Sequence, residues 1–307
     1  MDNQRIKFRH IQCFVEIVRQ ESLKKASERL FLTQPAISKT LRELEEIVGA
    51  VLLHRSRAGV RLSQQGEVFH HFAEMSLAAL QQGIDGVEQI GKSGNARLLV
   101  GALPSVAAGL MPVVAKEFVK LSPATTLCIS DGPHGYLIDR LRHGELALVI
   151  GRLGPPQTMQ GLSFTQLYNE HVVFVVRPGH PMSKMGNLDD LADWPIVYPP
   201  ENAAIRALVE RILIANGIGE LPNRIETVSG AFGRVYTRDS DAIWIISYGV
   251  VANELAEGRL VSLPVDTSIT KGPVGLMTRQ DHEKTPEERL FHSALSKAIA
   301  KLGLTSA

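Results

Sequence analysis

Cysteine is nearly absent: the 307 residues hold two, Cys13 and Cys128. Neither has a cysteine neighbour or a metal-ligand spacing, which excludes a disulfide framework and a zinc module. Both thiols are expected to be reduced. No apolar stretch approaches the roughly 20 residues of a membrane helix. No apolar run follows a basic start, so an export signal is not expected and the cytoplasm is the expected location. Enzyme signatures are missing too. There is no Gly-x-Ser-x-Gly elbow, His-Glu-x-x-His, Walker loop or Gly-x-Gly-x-x-Gly. No catalytic residue, cofactor or metal is therefore expected. His70-His71 with Glu74 has a metal-like spacing, but it sits on a long helical stretch and reads as a solvated face. Excess charge is absent as well: the net formal charge is +1.

The distribution of charge says more than the sum. Residues 1–61 carry 12 Lys and Arg against 7 Asp and Glu, whereas the remainder carries 21 against 25. A basic head on a mildly acidic body fits DNA binding by one end. Inside that head, residues 33–45 read as a helix. Thr33 is placed to cap it, and Pro35 is tolerated in a first turn. Ala36, Ile37, Leu41 and Leu44 make an apolar face. Gln34, Ser38 and Arg42 are spaced four apart on another face, beside Lys39. These are the amide, hydroxyl and cationic groups that pair with base edges and phosphates. A helix carrying Phe8, Ile11, Val15 and Val18 precedes, then a short one capped by Ser22. Only Phe31 and Leu32 separate that helix from Thr33, as in a helix-turn-helix. Leu52–Leu62 reads as a hairpin with Ala58-Gly59 at its tip, and Arg55, Arg57 and Arg61 as a basic wing. The expected DNA-contacting set is Thr33, Gln34, Pro35, Ser38, Lys39, Arg42, Arg55, Arg57 and Arg61.

These residues carry a resemblance. Phe14-Val15, Ser22, Ala26, Leu30, Thr33 to Ser38, Leu44-Glu45, Gly49, Leu52, Arg55 and Leu62-Ser63-x-x-Gly66 resemble the N-terminal pattern of LysR-type transcriptional regulators. Leu53 stands where an aromatic is usual, and Ser63 where Thr is usual. The resemblance implies a winged helix-turn-helix over residues 1–66 and a linker helix over 67–93. It also implies a two-lobed, periplasmic-binding-protein-like α/β effector domain over 94–307. The residues support that division. Ala73, Leu77, Leu80, Ile84 and Val87 alternate spacings of four and three, a short coiled-coil seam that predicts dimerisation. Gly91-Lys92-Ser93-Gly94 predicts a hinge.

Beyond residue 97 the texture is α/β. Strands are predicted at Leu98–Leu103, Thr125–Ser130 and Leu146–Ile150. Helices are predicted from Pro104-Ser105 through Val119 and from His134 to near Gly144. Two consecutive strand–helix–strand units predict a parallel sheet. Val172–Val176, Ile196–Tyr198 and Ala242–Ile246 read as strands of a second lobe. A strand near Val274–Met277 and a helix over Glu287–Leu302 return to the first. Crossings are expected near 167 and 266, giving lobe I as 94–166 and 267–307 and lobe II as 167–266.

Ligands of open α/β sheets sit beyond the carboxyl ends of strands. Three turns qualify, and the resemblance places effector contacts there at Ser105, Pro133, His134, Asn202 and Ile205. Arg206 is added for its charge. Ser105 and Asn202 have a second reading as helix caps. Arg206 and Arg152 have one as surface ion pairs. Helix starts, a histidine and arginines together favour an anion such as a small carboxylate. The runs Ile6 to Val15 and Asp131 to Leu137 resemble regulators of protocatechuate (pca) catabolism. That resemblance implies an activator of an aromatic-acid operon that responds to a carboxymuconate or its lactone. The expected partners are double-stranded operator DNA, the effector, further copies of the chain up to a homotetramer, and RNA polymerase, with no membrane. The alternatives are an α/β enzyme acting on a small carboxylic acid and a solute-binding protein.

Overall fold

The structure is a computed structural model. It describes residues 5–56, 59–91, 96–280 and 282–304, with backbone alone at 78, 82 and 85–91. The chain divides into two compact units, one of Met1–Ser93 with Arg142–Gly144 and one of Gly94–Leu141 with Glu145–Ala307.

The first unit begins with α1 (Phe8–Gln20), α2 (Leu23–Arg29) and α3 (Gln34–Val48). Ser22 caps α2 by accepting from the Lys25 N–H at 3.4 Å, and Thr33 caps α3 from the Ala36 N–H at 3.4 Å. Ile37, Leu41 and Leu44 of α3 are buried with Phe14 and Ile17 of α1. Each such side chain stabilises the unit by about 1.5–3 kcal/mol. Phe31, between α2 and α3, adopts a left-handed φ of 56° and is 96% exposed.

A hairpin follows, β1 (Leu53–Ser56) antiparallel to β2 (Gly59–Leu62). Gly59 pairs with Ser56 and so belongs to β2 rather than to the tip. Arg57 and Ala58 lie outside the described residues.

The long helix α4 spans Gln64–Gly91, so it starts before residue 67. Ser63 sets that start by accepting from the Gly66 N–H at 2.9 Å. The seam divides in two. Ala73 is buried in the core of this unit, and Leu77 and Phe69 pack against it, with Phe69 edge-on to Phe14 at 5.4 Å. These positions are occupied within the chain because the first turns of α4 complete the helix-turn-helix core. Leu80 and Ile84 remain exposed. Val87 lies outside the described side chains, and Lys92, Ser93 and Gly94 of the expected hinge lie outside the described residues. His70 is not on a solvated face: it packs on Phe14 at 6.0 Å, and burial lowers its pKa.

The second unit holds two five-stranded sheets. In chain order it runs β3 (Arg97–Ala102), α5 (Pro104–Gly109), α6 (Met111–Leu121), β4 (Thr126–Asp131), α7 (His134–Arg142), β5 (Leu148–Arg152), β6 (Leu162–Glu170) and β7 (Val172–Val176). Then come β8 (Ile196–Tyr198), α8 (Arg206–Ala215), β9 (Arg224–Glu226), α9 (Gly230–Asp239), β10 (Ile243–Ser247), α10 (Tyr248–Ala256), β11 (Val261–Ser262), β12 (Gly272–Arg279) and α11 (Pro286–Lys301). One sheet is ordered β4-β3-β5-β12-β6, with β3 parallel to β4 and β5 and with β12 antiparallel to its neighbours. The other is β11-β7-β10-β8-β9, with β8 parallel to β9 and β10.

Two expectations need correcting. The helix predicted from Pro104 to Val119 is two helices that break at Leu110. Pro112 in the first turn of α6 has no N–H for a continuing helix, so a new one starts there. The crossing expected near 167 lies at His171, because β6 stays paired to β12 as far as Glu170. The return lies between Ser262 and Gly272.

Candidate functional site

Two features of the structure can carry function, one in each unit. In the first, α3 presents Gln34, Pro35, Lys39 and Arg42 exposed and Ser38 half-buried. Lys39 stands 4.0 Å from Glu43, too far for a firm pair, and Arg42 makes no ion pair among the described residues. Arg9 and His10 hold the Glu43 carboxylate at 3.1 and 3.3 Å. The His10 hydrogen bond, ahead of the cations, keeps the Glu43 pKa below its usual value. Arg55 and Arg61 are exposed on opposite faces of the hairpin. Arg55 pairs with Val60 on the face of Leu53, while Arg61 pairs with His54 on the other. Arg55 and Arg61 are therefore splayed rather than clustered.

One anchor escaped the sequence reading. Glu45 of α3 accepts from the backbone N–H groups of Leu52 and Leu53 at 2.8 and 3.2 Å through one oxygen. It ties the root of the hairpin to α3. Its signal was the Leu44-Glu45 pair, which served only as part of a pattern.

In the second unit, a cleft between the two sheets encloses about 520 Å³ of unfilled space, mouth included. Its walls come from the carboxyl ends of six strands. Ser105 follows β3, Pro133 and His134 follow β4, and Arg152 ends β5. Pro199 and Ala203 to Ile205 follow β8, Thr227 and Val228 follow β9, and Ser247 ends β10. This is the placement expected of open α/β sheets. Most of the lining is apolar.

Ser105, Pro133, His134 and Ile205 thus come together as the sequence predicts, whereas Asn202 and Arg206 do not line the cleft. Asn202 caps nothing, because residues 201–205 form turns and α8 starts only at Arg206. Arg206 lies over the Tyr198 ring at 4.6 Å, bonded to Glu210 at 2.6 Å, Glu226 at 3.2 Å and the Pro199 carbonyl at 2.9 Å. Its charge is already spent on these partners. Ser105 is not a cap either: it lies within α5, whose start carries no side-chain cap, and its side chain lies beside the Glu170 carboxyl. The His134 Nε2 lies 3.3 Å from the Thr158 hydroxyl, which itself donates to the Pro155 carbonyl, so His134 is the donor there.

The cation at the cleft is Arg152. It is 5% exposed, and its Nε and Nη2 have no hydrogen-bond partner among the described residues. Glu170 stands behind it at 3.7 Å. The sequence reading missed Glu170 and the turn Ser247-Tyr248-Gly249. The signal for that turn was a Ser-x-Gly directly after the buried run Ile243 to Ile246.

Residues 8–67 match the family model of the bacterial regulatory helix-turn-helix protein, lysR family, and residues 91–300 match the LysR substrate binding domain. The chain belongs to the LysR family of transcriptional regulators. That family is one of regulators rather than enzymes. As a LysR-type chain it is 46% identical over 304 residues to the HTH-type transcriptional regulator PcaQ of Agrobacterium fabrum, covering 98% of each chain. It is 34% identical over 298 residues to the uncharacterized HTH-type transcriptional regulator YdcI of Escherichia coli, covering 97% of each. Its fold matches the crystal structure of CbnR with a TM-score of 0.58 at 18% identity, over 95% of this chain and 99% of that one. Full-length BenM matches with a TM-score of 0.57 at 22% identity, over 98% and 99%. Among the described residues no helix is long and apolar enough to cross a membrane.

Proposed function

We propose that this LysR-type regulator activates an aromatic-acid catabolic operon, that of protocatechuate, in response to a small carboxylate bound between its two lobes. The observation that carries the effector reading is the buried Arg152 guanidinium, two of whose nitrogens make no hydrogen bond among the described residues, lining a mostly apolar cleft. A carboxylate accepts from a guanidinium in bidentate fashion, and an unsaturated or ring-derived carbon frame suits the apolar wall. The name PcaQ of the relative at 46% identity supports the pathway. Ser105, Pro133, His134 and Ile205 are the remaining proposed contacts, and Arg152 takes the place given to Arg206. A ligand touching both lobes favours one lobe arrangement only by its differential affinity for it. Titrating the full-length chain with carboxymuconate and its lactone by calorimetry tests the proposal. Absence of heat with either acid, in a chain that still binds its operator, would sink the effector class.

Domains at 1–66, 67–93 and 94–307 serve this reading, with the early turns of α4 shared with the head. Thr33, Gln34, Pro35, Ser38, Lys39 and Arg42 are proposed to face DNA, flanked by Arg55, Arg57 and Arg61. Base readers and phosphate holders should respond differently to mutation. Gln34→Ala is expected to cost about 1–3 kcal/mol on operator DNA and far less on random DNA. Arg55→Ala should weaken both alike and make the salt dependence shallower. Equal losses on both DNAs for Gln34→Ala, in a salt-series gel shift, would remove it from base reading.

Two heads on paired half-sites require a dimer, and we assign its contact to Leu80 and Ile84, with a tetramer as the full assembly. RNA polymerase is the further partner of an activator. Leu80→Glu would place an uncompensated carboxylate in that contact. The expected result in sedimentation is a smaller particle with lost operator binding. An assembly of unchanged mass would assign Leu80 to a solvent face.

A further inference from the structure

We propose that Glu170 and a bound carboxylate are alternative partners of the Arg152 guanidinium, and that Glu170 takes up a proton as the anion docks. The inference rests on the anion reading of the cleft given above. Glu170 is the last residue of β6 and is 4% exposed. Its two oxygens are treated unequally. Oε1 accepts from the Gly249 N–H at 3.1 Å, and the Ser105 and Ser247 side chains lie close enough to favour the ionised carboxyl. Oε2 has no hydrogen-bond partner among the described residues and stands 3.7 Å from Arg152 Nη2. That exceeds the about 2.7–2.9 Å of a charge-assisted N–H···O bond. The pair is close enough to balance charge and too loose to satisfy either group. Arg152 therefore keeps donors for a ligand while Glu170 depends on it for compensation.

A second anion upsets this balance. Once a carboxylate sits on Arg152, two negative charges share one cation in a buried place, and such pairs do not both stay ionised. Arg152 cannot change its protonation. Burial already pushes the Glu170 pKa up, and Arg152 is the chief influence against that shift. The proton from solvent goes to Oε2, the oxygen that loses no hydrogen bond by accepting it. The other groups near the pair are Tyr168, whose phenol burial pushes up, and His171, stacked on Tyr248 at 5.3 Å and itself near Lys271. None of these lines the cleft; His134 does.

The sign follows from linkage. The Glu170 pKa is higher in the bound state than in the free state, so between the two values binding consumes a proton. Affinity then falls as pH rises, by at most about tenfold per pH unit. A ligand of the same shape without the carboxylate should show no such dependence.

Carboxymuconate is the probe, its carboxyls being ionised from about pH 6 to about pH 8. Calorimetry of the full chain in two buffers of different ionisation heat should count an uptake approaching one proton per site, with affinity falling across that range. Glu170→Gln should flatten the profile and remove the uptake, and Glu170→Asp should restore it. His134→Gln, whatever affinity it loses as a cleft contact, should keep the uptake per molecule bound. Wild-type binding with no uptake overturns the inference whatever the variants do. Uptake lost in His134→Gln but kept in Glu170→Gln transfers the effect to His134 and overturns it too. No binding of the probe at any pH overturns the effector reading, and this inference falls with it.

Discussion

Arg152→Ala is expected to abolish the effector response and to destabilise the effector-binding unit by about 3–5 kcal/mol. The second effect comes from what remains. Glu170 would be left 4% exposed with no cation at 3.7 Å, a buried carboxylate that must go uncompensated or give up its ionised form by taking a proton. Loss of effector binding from such a variant is therefore ambiguous, because a loosened unit also binds poorly. The double variant Arg152→Met with Glu170→Gln resolves this. It removes both charges, keeps an acceptor for the Gly249 N–H and nearly preserves volume, so urea unfolding should return close to the wild-type midpoint. Carboxymuconate should still fail to bind it, while operator DNA is bound as by the wild type. Arg206→Ala is the control, since Arg206 is held by Glu210, Glu226 and the Tyr198 ring outside the cleft. Its effector affinity should not change. If the double variant bound the acid with wild-type affinity, Arg152 would be a structural residue only.

The difference between these two arginines marks how far the sequence could be read. Local patterns carried the head well. Capping residues, the helical spacing of Ile37, Leu41 and Leu44, and the hairpin are all short-range signals, and the structure has them at or near their expected places. Continuous apolar runs likewise located Val172–Val176 and Ile196–Tyr198, whose residues are buried. Strand β6 went unread because only Leu162, Tyr168 and Glu170 of its nine residues are buried, so neither a run nor a clean alternation marks it. The three turns at the cleft were legible because they follow strands. Which cation faces the cleft was not legible, since that depends on where β5 ends and on the competing partners of each arginine. Arg206 has two carboxylates nearby in space, one of them distant in sequence at Glu226. Arg152 has one, supplied by a strand that was not read. Glu45 and Glu170 were missed for the same reason: their partners are brought to them only by the fold.

The linker helix illustrates a pattern whose physical cause differs from its first interpretation, and it carries the remaining prediction. The spacing of Ala73, Leu77, Leu80 and Ile84 is continuous in sequence, yet its first half belongs to the head. That half is fixed at one point. The Leu52 carbonyl accepts from the Ser63 N–H at 2.9 Å, and the Ser63 hydroxyl donates to the Val51 carbonyl at 2.6 Å. From the other side, Glu45 holds the Leu52 and Leu53 N–H groups. Hairpin root, α3 and start of α4 therefore meet on Leu52. Gly66 makes the meeting possible, because a Cβ there would lie 2.0 Å from the Leu52 oxygen. Backbone lies on both sides of that contact, so no side chain can turn away to relieve it. Gly66→Ala must displace either α4 or the hairpin root. The expected cost is at the upper end of the about 1–3 kcal/mol of overpacking, or beyond it. Operator binding should fall by orders of magnitude, because the wing moves against α3 and the two heads of a dimer lose their spacing. Carboxymuconate affinity should be unchanged, since the cleft lies wholly within the other unit. Thermal unfolding followed with and without the acid, beside a gel shift, separates the two effects. Wild-type operator affinity in Gly66→Ala would show that the junction at Leu52 does not set the geometry of the DNA-binding head.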